Sequence, residues 1–138
     1  MKARIALSAL FLILLLASAL QAETQKRVLS GIELTSGDSF TEIKIRLENN
    51  AYRELGALST QKYVIDALMD NTELKDGRPI SINPKDSKLV NSISAVSAGT
   101  SRVKLRFHFK EIIRNINEGL KIEQSADGIS LRLDQAVI

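Results

Sequence analysis

His108 is the single histidine of a 138-residue chain that has no cysteine, and 16 carboxylates are scattered along the same chain. An enzyme here would have to be built from these groups. A serine-type triad needs a histidine within hydrogen-bond reach of the nucleophile and a carboxylate to orient it. Arg106 and Lys110 flank His108 at the alternate positions of its run. Their charge disfavours a second proton on the imidazole, and no acid stands two residues to either side. One histidine without thiolates cannot make the usual zinc set. A calcium loop aligned on Asp76-Gly77 would place Thr72 first and Leu74 third, where oxygen ligands are required. A carboxylate pair for glycoside cleavage needs a defined separation that no spacing among the acids indicates. The chain therefore reads as non-catalytic, with no cofactor and no metal. Asp66 is the most unusual acid, because it interrupts the apolar run "YVIDAL". It is expected to be a strand carboxylate that faces an edge or bonds a backbone turn.

The strongest chemical pattern is "RVKLRFHFK", residues 102 to 110. Val103, Leu105, Phe107 and Phe109 alternate with Arg102, Lys104, Arg106, His108 and Lys110. Period-two alternation places the two sets on opposite faces of a strand. Burying each apolar side chain is worth about 1.5–3 kcal/mol. Repulsion between neighbouring cations about 7 Å apart in water is about 0.5 kcal/mol, and less in salt. Packing outweighs repulsion, so the stripe needs no ligand in order to form. Three roles are open to the basic residues. They can form a solvated face paired with acids on adjacent strands, such as Glu42 or Glu48. They can protect an edge strand. Or they can form the binding surface for an anionic polymer or an acidic protein partner, with Arg102, Lys104, Arg106, His108 and Lys110 as its candidate residues.

The elements that would position this stripe are also legible. "VLSGIEL" (28 to 34) puts Val28, Ser30, Ile32 and Leu34 on one face, and "SGD" supplies a turn. "FTEIKIRLE" then alternates Ile43, Ile45 and Leu47 with Glu42, Lys44, Arg46 and Glu48, which predicts an antiparallel hairpin with one dry face. "NNAYRELGALST" predicts a loop or helical turn laid over an open edge of the core through Tyr52, Leu55 and Leu58. "KYVIDALMD" (62 to 70) suits a strand buried on both faces. The polar stretch with Gly77, Pro79 and Pro84 reads as a long exposed connection, with a short strand at "PISI". "LVNSISAVSAG" (89 to 99) predicts a strand of weak register, with Val90, Ile93 and Val96 as its large apolar residues. "EIIRNINEG" (111 to 119) predicts a short helical turn or loop with Ile112, Ile113 and Ile116 inward and Gly119 as its stop. Asp127-Gly128 between alternating runs predicts a closing hairpin. The fold class is all-β, a small two-sheet β-sandwich of mostly antiparallel strands preceded by a signal-peptide helix.

That leader is "MKARIALSALFLILLLASALQA", with Lys2 and Arg4 before an apolar run and small residues after it. Residues 1–22 are expected to be a cleavable signal peptide, too short to persist as a stable membrane span. Residues 23–138 are then expected to form one exported domain. Without Lys2 and Arg4 the balance is 17 cations to 16 acids, so the sequence pI of about 9.3 does not argue for nucleic acid. Absent Trp and an aromatic fraction of 4% disfavour stacked carbohydrate platforms.

In order, "VLSGIEL", "TEIKIRL", "YVIDAL" with its central Asp66, a polar excursion, "SRVKLRF" and the terminal "GLKIEQSADGISLRL" resemble the AMIN domain. This is a periplasmic module found in peptidoglycan amidases and type IV pilus secretins, and the resemblance spans roughly Arg27 to Leu133. The chain departs from the family pattern by continuing "ALMDN" after Asp66 and by carrying "SISAVSAG" where an Arg is usual. The resemblance implies a two-sheet sandwich that targets its owner to peptidoglycan or to a cell-envelope protein complex. The alternative is an accessory subunit that docks by protein contact on a secretin, pilus or flagellar assembly.

Overall fold

A computed structural model of the chain describes residues 25–50 and 54–138. The expected signal peptide, residues 1–22, and Tyr52 lie outside the described residues. The rest is a β-sandwich of two five-stranded sheets. The strands are β1 (Arg27–Ser36), β2 (Phe40–Glu48), β3 (Ala57–Gln61), β4 (Val64–Asp70), β5 (Thr72–Leu74), β6 (Ile80–Ile82), β7 (Val90–Ser97), β8 (Arg102–Phe109), β9 (Leu120–Ser125) and β10 (Gly128–Asp134). A four-residue helix, α1 (Ile116–Gly119), precedes β9. The first sheet has the order β5-β1-β2-β10-β9 and the second β3-β4-β8-β7-β6. Every pairing is antiparallel except β1 with β5. Among the described residues no helix is long and apolar enough to cross a membrane.

Period two decides the central strands. Ile43, Ile45 and Leu47 of β2 face inward, as do Ile129, Leu131 and Leu133 of β10. Opposite them stand Val103, Leu105, Phe107 and Phe109 of β8, flanked by Ile65, Ala67 and Met69 of β4. This filling is continuous from one sheet to the other. The strand at 62 to 70 is thus buried on one face, with Val64, Asp66 and Leu68 half-buried on the other, because among the described residues no second layer covers the second sheet's outer side.

Two β-bulges explain where simple alternation fails. In β1 the register shifts between Leu29 and Gly31, so Leu29 pairs with Leu47 while Ile32 pairs with Ile45. Leu29, Ile32 and Leu34 therefore turn inward, whereas Val28 sits opposite Glu48 and Ser30 is exposed. The predicted face was correct only beyond the bulge, since an extra residue inverts the pattern on one side of it. In β7 the shift between Val90 and Ser92 lets Val90 and Ile93, three residues apart, both enter the core and leaves Val96 outside.

Other connections depart from the expectations for local reasons. Ala57 to Gln61 is a strand at the edge of the second sheet rather than a loop or helical turn; Leu55 is buried but Leu58 remains exposed. Gly56 (φ +126°) permits that strand, because a Cβ there would lie 1.9 Å from the Leu68 carbonyl oxygen. The polar stretch after β4 contains β5 as well as the expected strand at 80 to 82. Ile113 is buried and Ile116 packs on the core, but Ile112 points out. The last hairpin forms, but its loop is Ala126-Asp127, one residue earlier than the expected Asp127-Gly128 turn, because Gly128 is already paired to Ser125.

If packing holds β8, Leu105→Ala should cost about 2–5 kcal/mol through its lost contacts and the cavity left behind. Lys104→Ala on the opposite face should cost less than about 1 kcal/mol. Urea unfolding of the two variants checks the contrast.

Candidate binding face on the second sheet

β8 is the middle strand of its sheet, so the residues beside each basic group are set by two registers. Against β4, Arg102 faces Asp70, Lys104 faces Leu68, Arg106 faces Asp66 and His108 faces Val64. Against β7, Lys104 faces Val96, Arg106 faces Ser94 and His108 faces Ser92. The row through Arg106 continues to Ser59 on β3 and Ser81 on β6. A salt-linked pair thus lies in a strip of small hydroxyl side chains across the whole sheet.

The Arg106 guanidinium donates from Nε to Asp66 Oδ1 at 2.8 Å and from an Nη to Oδ2 at 3.0 Å. Lys104 Nζ stands 3.9 Å from the same carboxylate, and Arg102 Nε lies 2.9 Å from Asp70 Oδ1. The Arg106 hydrogen bond, despite some burial, holds the Asp66 carboxyl below the usual carboxylate value, and the charges of Arg106 and Lys104 add to this. The same hydrogen bond raises the Arg106 guanidinium. With side-chain exposures of 49% for Arg106 and 21% for Asp66, solvent screens the pair strongly. Pairs of this kind contribute about 0.2–1 kcal/mol.

The structure brings Arg102, Lys104, Arg106 and His108 together on one face, with His108 half-buried. Lys110 lies past the end of β8, where its Nζ donates to the Ser87 carbonyl oxygen at 2.6 Å. It belongs instead to a groove at the end of the sandwich, with Tyr63, Glu111, Ile112, Arg114 and Ile138. The acids that pair with the stripe are Asp66 and Asp70, not Glu42 or Glu48, because β2 lies in the other sheet. There Glu48 meets Lys75 at 3.4 Å. Nor does β8 need protection as an edge, since β4 and β7 cover both its sides. Asp66, expected to serve an edge or a turn, instead meets a cation on an interior strand. Asp70 was missed altogether. The signal for both was present as a four-residue spacing on each strand, Asp66/Asp70 and Arg102/Arg106, which antiparallel pairing turns into two facing pairs.

Chemically, the face offers donors and acceptors side by side. Asp66 occupies two of the five N–H donors of Arg106, and the others are available to a ligand carboxylate, amide or hydroxyl. Among the described residues no group of three His, Cys, Asp or Glu side chains could hold a metal ion.

The lowered Asp66 value has a signed consequence for stability. A carboxyl depressed in the folded state contributes stability that is fully present above its unfolded value of 3.8 and lost as the pH falls through the folded value. Relative to Asp66→Asn, the wild-type chain should hold an advantage of up to about 1 kcal/mol near neutrality. Thermal melts of both proteins should show that advantage shrinking from about pH 4 downward. A difference that stayed constant into acid would exclude the ion pair as its source.

Comparison with protein-family models, curated proteins and solved structures finds no match for this chain.

Proposed function

We propose that this chain is a non-catalytic binding and localisation module of the periplasm, which recognises peptidoglycan through the outer face of its second sheet. The observation that carries the proposal is the row Ser59–Asp66–Arg106–Ser94–Ser81, with Lys104 and Arg102 on the same strand as Arg106. A wall polymer presents sugar hydroxyls, amides and peptide carboxylates. Those groups need interspersed donors and acceptors on a shallow surface, rather than a deep apolar pocket. Arg106 and Asp66 supply both kinds, on strands whose register the core fixes. Three cations against two carboxylates leave an excess of one charge, so recognition rests on placed hydrogen bonds more than on bulk attraction. The likeness of the strand series to the AMIN domain, the leader at residues 1–22 and the two-sheet architecture support the same reading.

A second reading is an accessory subunit that docks by protein contact on a secretin, pilus or flagellar assembly. The groove at the end of the sandwich favours it. There Tyr63 and Ile112 are each 41% exposed beside Lys110, Glu111 and Arg114, the mixture of anchors and rim charges common in protein interfaces.

Isolated sacculi discriminate between the two. The purified protein should pellet with sacculi at low and at near-physiological salt. The combined changes Arg102→Glu, Lys104→Glu and Arg106→Glu should reduce pelleting by about tenfold or more, as expected when a ligand carboxylate loses several charge-assisted bonds. Undiminished pelleting of that variant would remove the face from consideration. Binding that vanishes at the higher salt, together with in-cell crosslinks from Tyr63 to one defined protein, would favour the docking reading.

A further inference from the structure

The second sheet ends on β3, whose five residues Ala57, Leu58, Ser59, Thr60 and Gln61 are all exposed and carry no charge. Among the described residues, nothing pairs with the outer side of this strand. The other three edges are blunted. β5 and β6 have three residues each, and β9 carries Lys121 and Glu123.

β3 joins β4 through the two-residue turn Lys62-Tyr63, with Gln61 opposite Val64. Such a hairpin closes on a hydrogen-bonded pair, and every second pair after it is bonded too. Ser59 and Gln61 therefore spend their backbone groups on β4, while Leu58 and Thr60 direct their N–H and C=O groups to the open side. Water can satisfy these groups one at a time, but another strand presents donors and acceptors at the same repeat.

We propose that the occupant is a second copy of this chain, joined antiparallel through β3 with the two-fold axis at Ser59. That register pairs each Leu58 with Thr60 of the other copy, so every outward donor meets an outward acceptor. It also places the Lys62 end of one strand against the Glu54 end of the other, twice over; a parallel arrangement would set like ends together. The row Ser81–Ser94–Arg106–Asp66–Ser59 then continues through the axis into its symmetry mate, and the two sheets become one. Each strand also brings its Leu58, 40% exposed, over the apolar crevice lined by Ile65, Phe107, Leu120, Leu131 and Leu133 between the sheets. The pairing stands whether or not the face binds wall polymer.

Because the chain has no cysteine, a single introduced thiol reports the register. Two Ser59 residues would face each other as a non-hydrogen-bonded pair, with Cα atoms about 4.5 Å apart, within the range a disulfide spans. Two Gln61 residues would stand about 14 Å apart. Under mild oxidation Ser59→Cys should convert to a covalent dimer in near-complete yield, and Gln61→Cys should stay monomeric. Sedimentation of the unmodified protein should show a dimer that Thr60→Pro abolishes, since that change removes a donor only from the open side. Glu54→Lys should weaken the dimer, and adding Lys62→Glu should restore it. A protein that sediments as a monomer at every concentration overturns the proposal. So does equal crosslinking from positions 59 and 61, or a dimer that survives Thr60→Pro with an unchanged circular dichroism spectrum. If Ser59→Cys crosslinks in cells only to a different protein, the edge serves that partner and self-pairing is excluded.

Discussion

The register of β8 is the constraint on which the rest of the second sheet depends. Val103, Leu105, Phe107 and Phe109 are each at most 3% exposed, and each contributes about 1.5–3 kcal/mol by leaving water. A slip of one residue would exchange them for Arg102, Lys104, Arg106 and His108, whose burial without partners is prohibitive. No register shifted by an odd number of residues competes. Since β8 is paired on both sides, its fixed register also sets which residues of β4 and β7 stand beside each cation. The ion pairs follow from the packing and do not cause it.

The sandwich is closed by a few buried polar groups whose hydrogen bonds join one layer to the other. Thr41 on β2 and Ser87 before β7 share a hydrogen bond of 3.0 Å, and Ser87 Oγ also accepts from the Val90 amide. Arg27, 2% exposed, donates from Nε to Thr72 Oγ1 and from its two Nη atoms to the Glu54 and Asp70 carbonyl oxygens. It thereby ties the start of β1 to β5 and to the segment that enters β3. Removing such a group would strand its acceptors at a cost of about 1–3 kcal/mol. The edge strand is thus held from behind by a buried guanidinium and Gly56, although its outer side is open.

Most of the architecture was legible in the sequence because it rests on period-two alternation, which β2, β8 and β10 carry without a break. The two bulges were not legible. "VLSGIEL" and "LVNSIS" give no side-chain reason to choose which residue is extra, and the choice is made by pairing with β2 and β8. β3 and β5 were missed for different reasons: β3 is exposed throughout and buries no face, while β5 alternates buried Thr72 and Leu74 about exposed Glu73 but is only three residues long, too short for the pattern to register. The basic residues of the candidate site were readable one by one, but their partners were not. Pairing Asp66 with Arg106 requires knowing that β4 and β8 are neighbours, although 40 residues separate them. Lys110 illustrates the opposite error, since a sequence pattern continues past the point where the strand ends.

Intramolecular pairing changes what the basic face can do. A ligand carboxylate approaching Arg106 must compete with Asp66, which is already bound through both oxygens. Single anionic groups should therefore gain little from the face, and a lone phosphate or acetate is a poor match for it. A polymer is different. It can use the remaining guanidinium donors, the Asp66 carboxylate as an acceptor and the serine hydroxyls of the same row, each for a modest gain. Weak contacts of this kind become useful when they repeat, because a second engagement on the same polymer is governed by effective concentration rather than by new contacts. On the proposed reading, a face whose cations are largely paired with its own acids would favour extended, repeating ligands over small anions, by shallow contacts along the sheet.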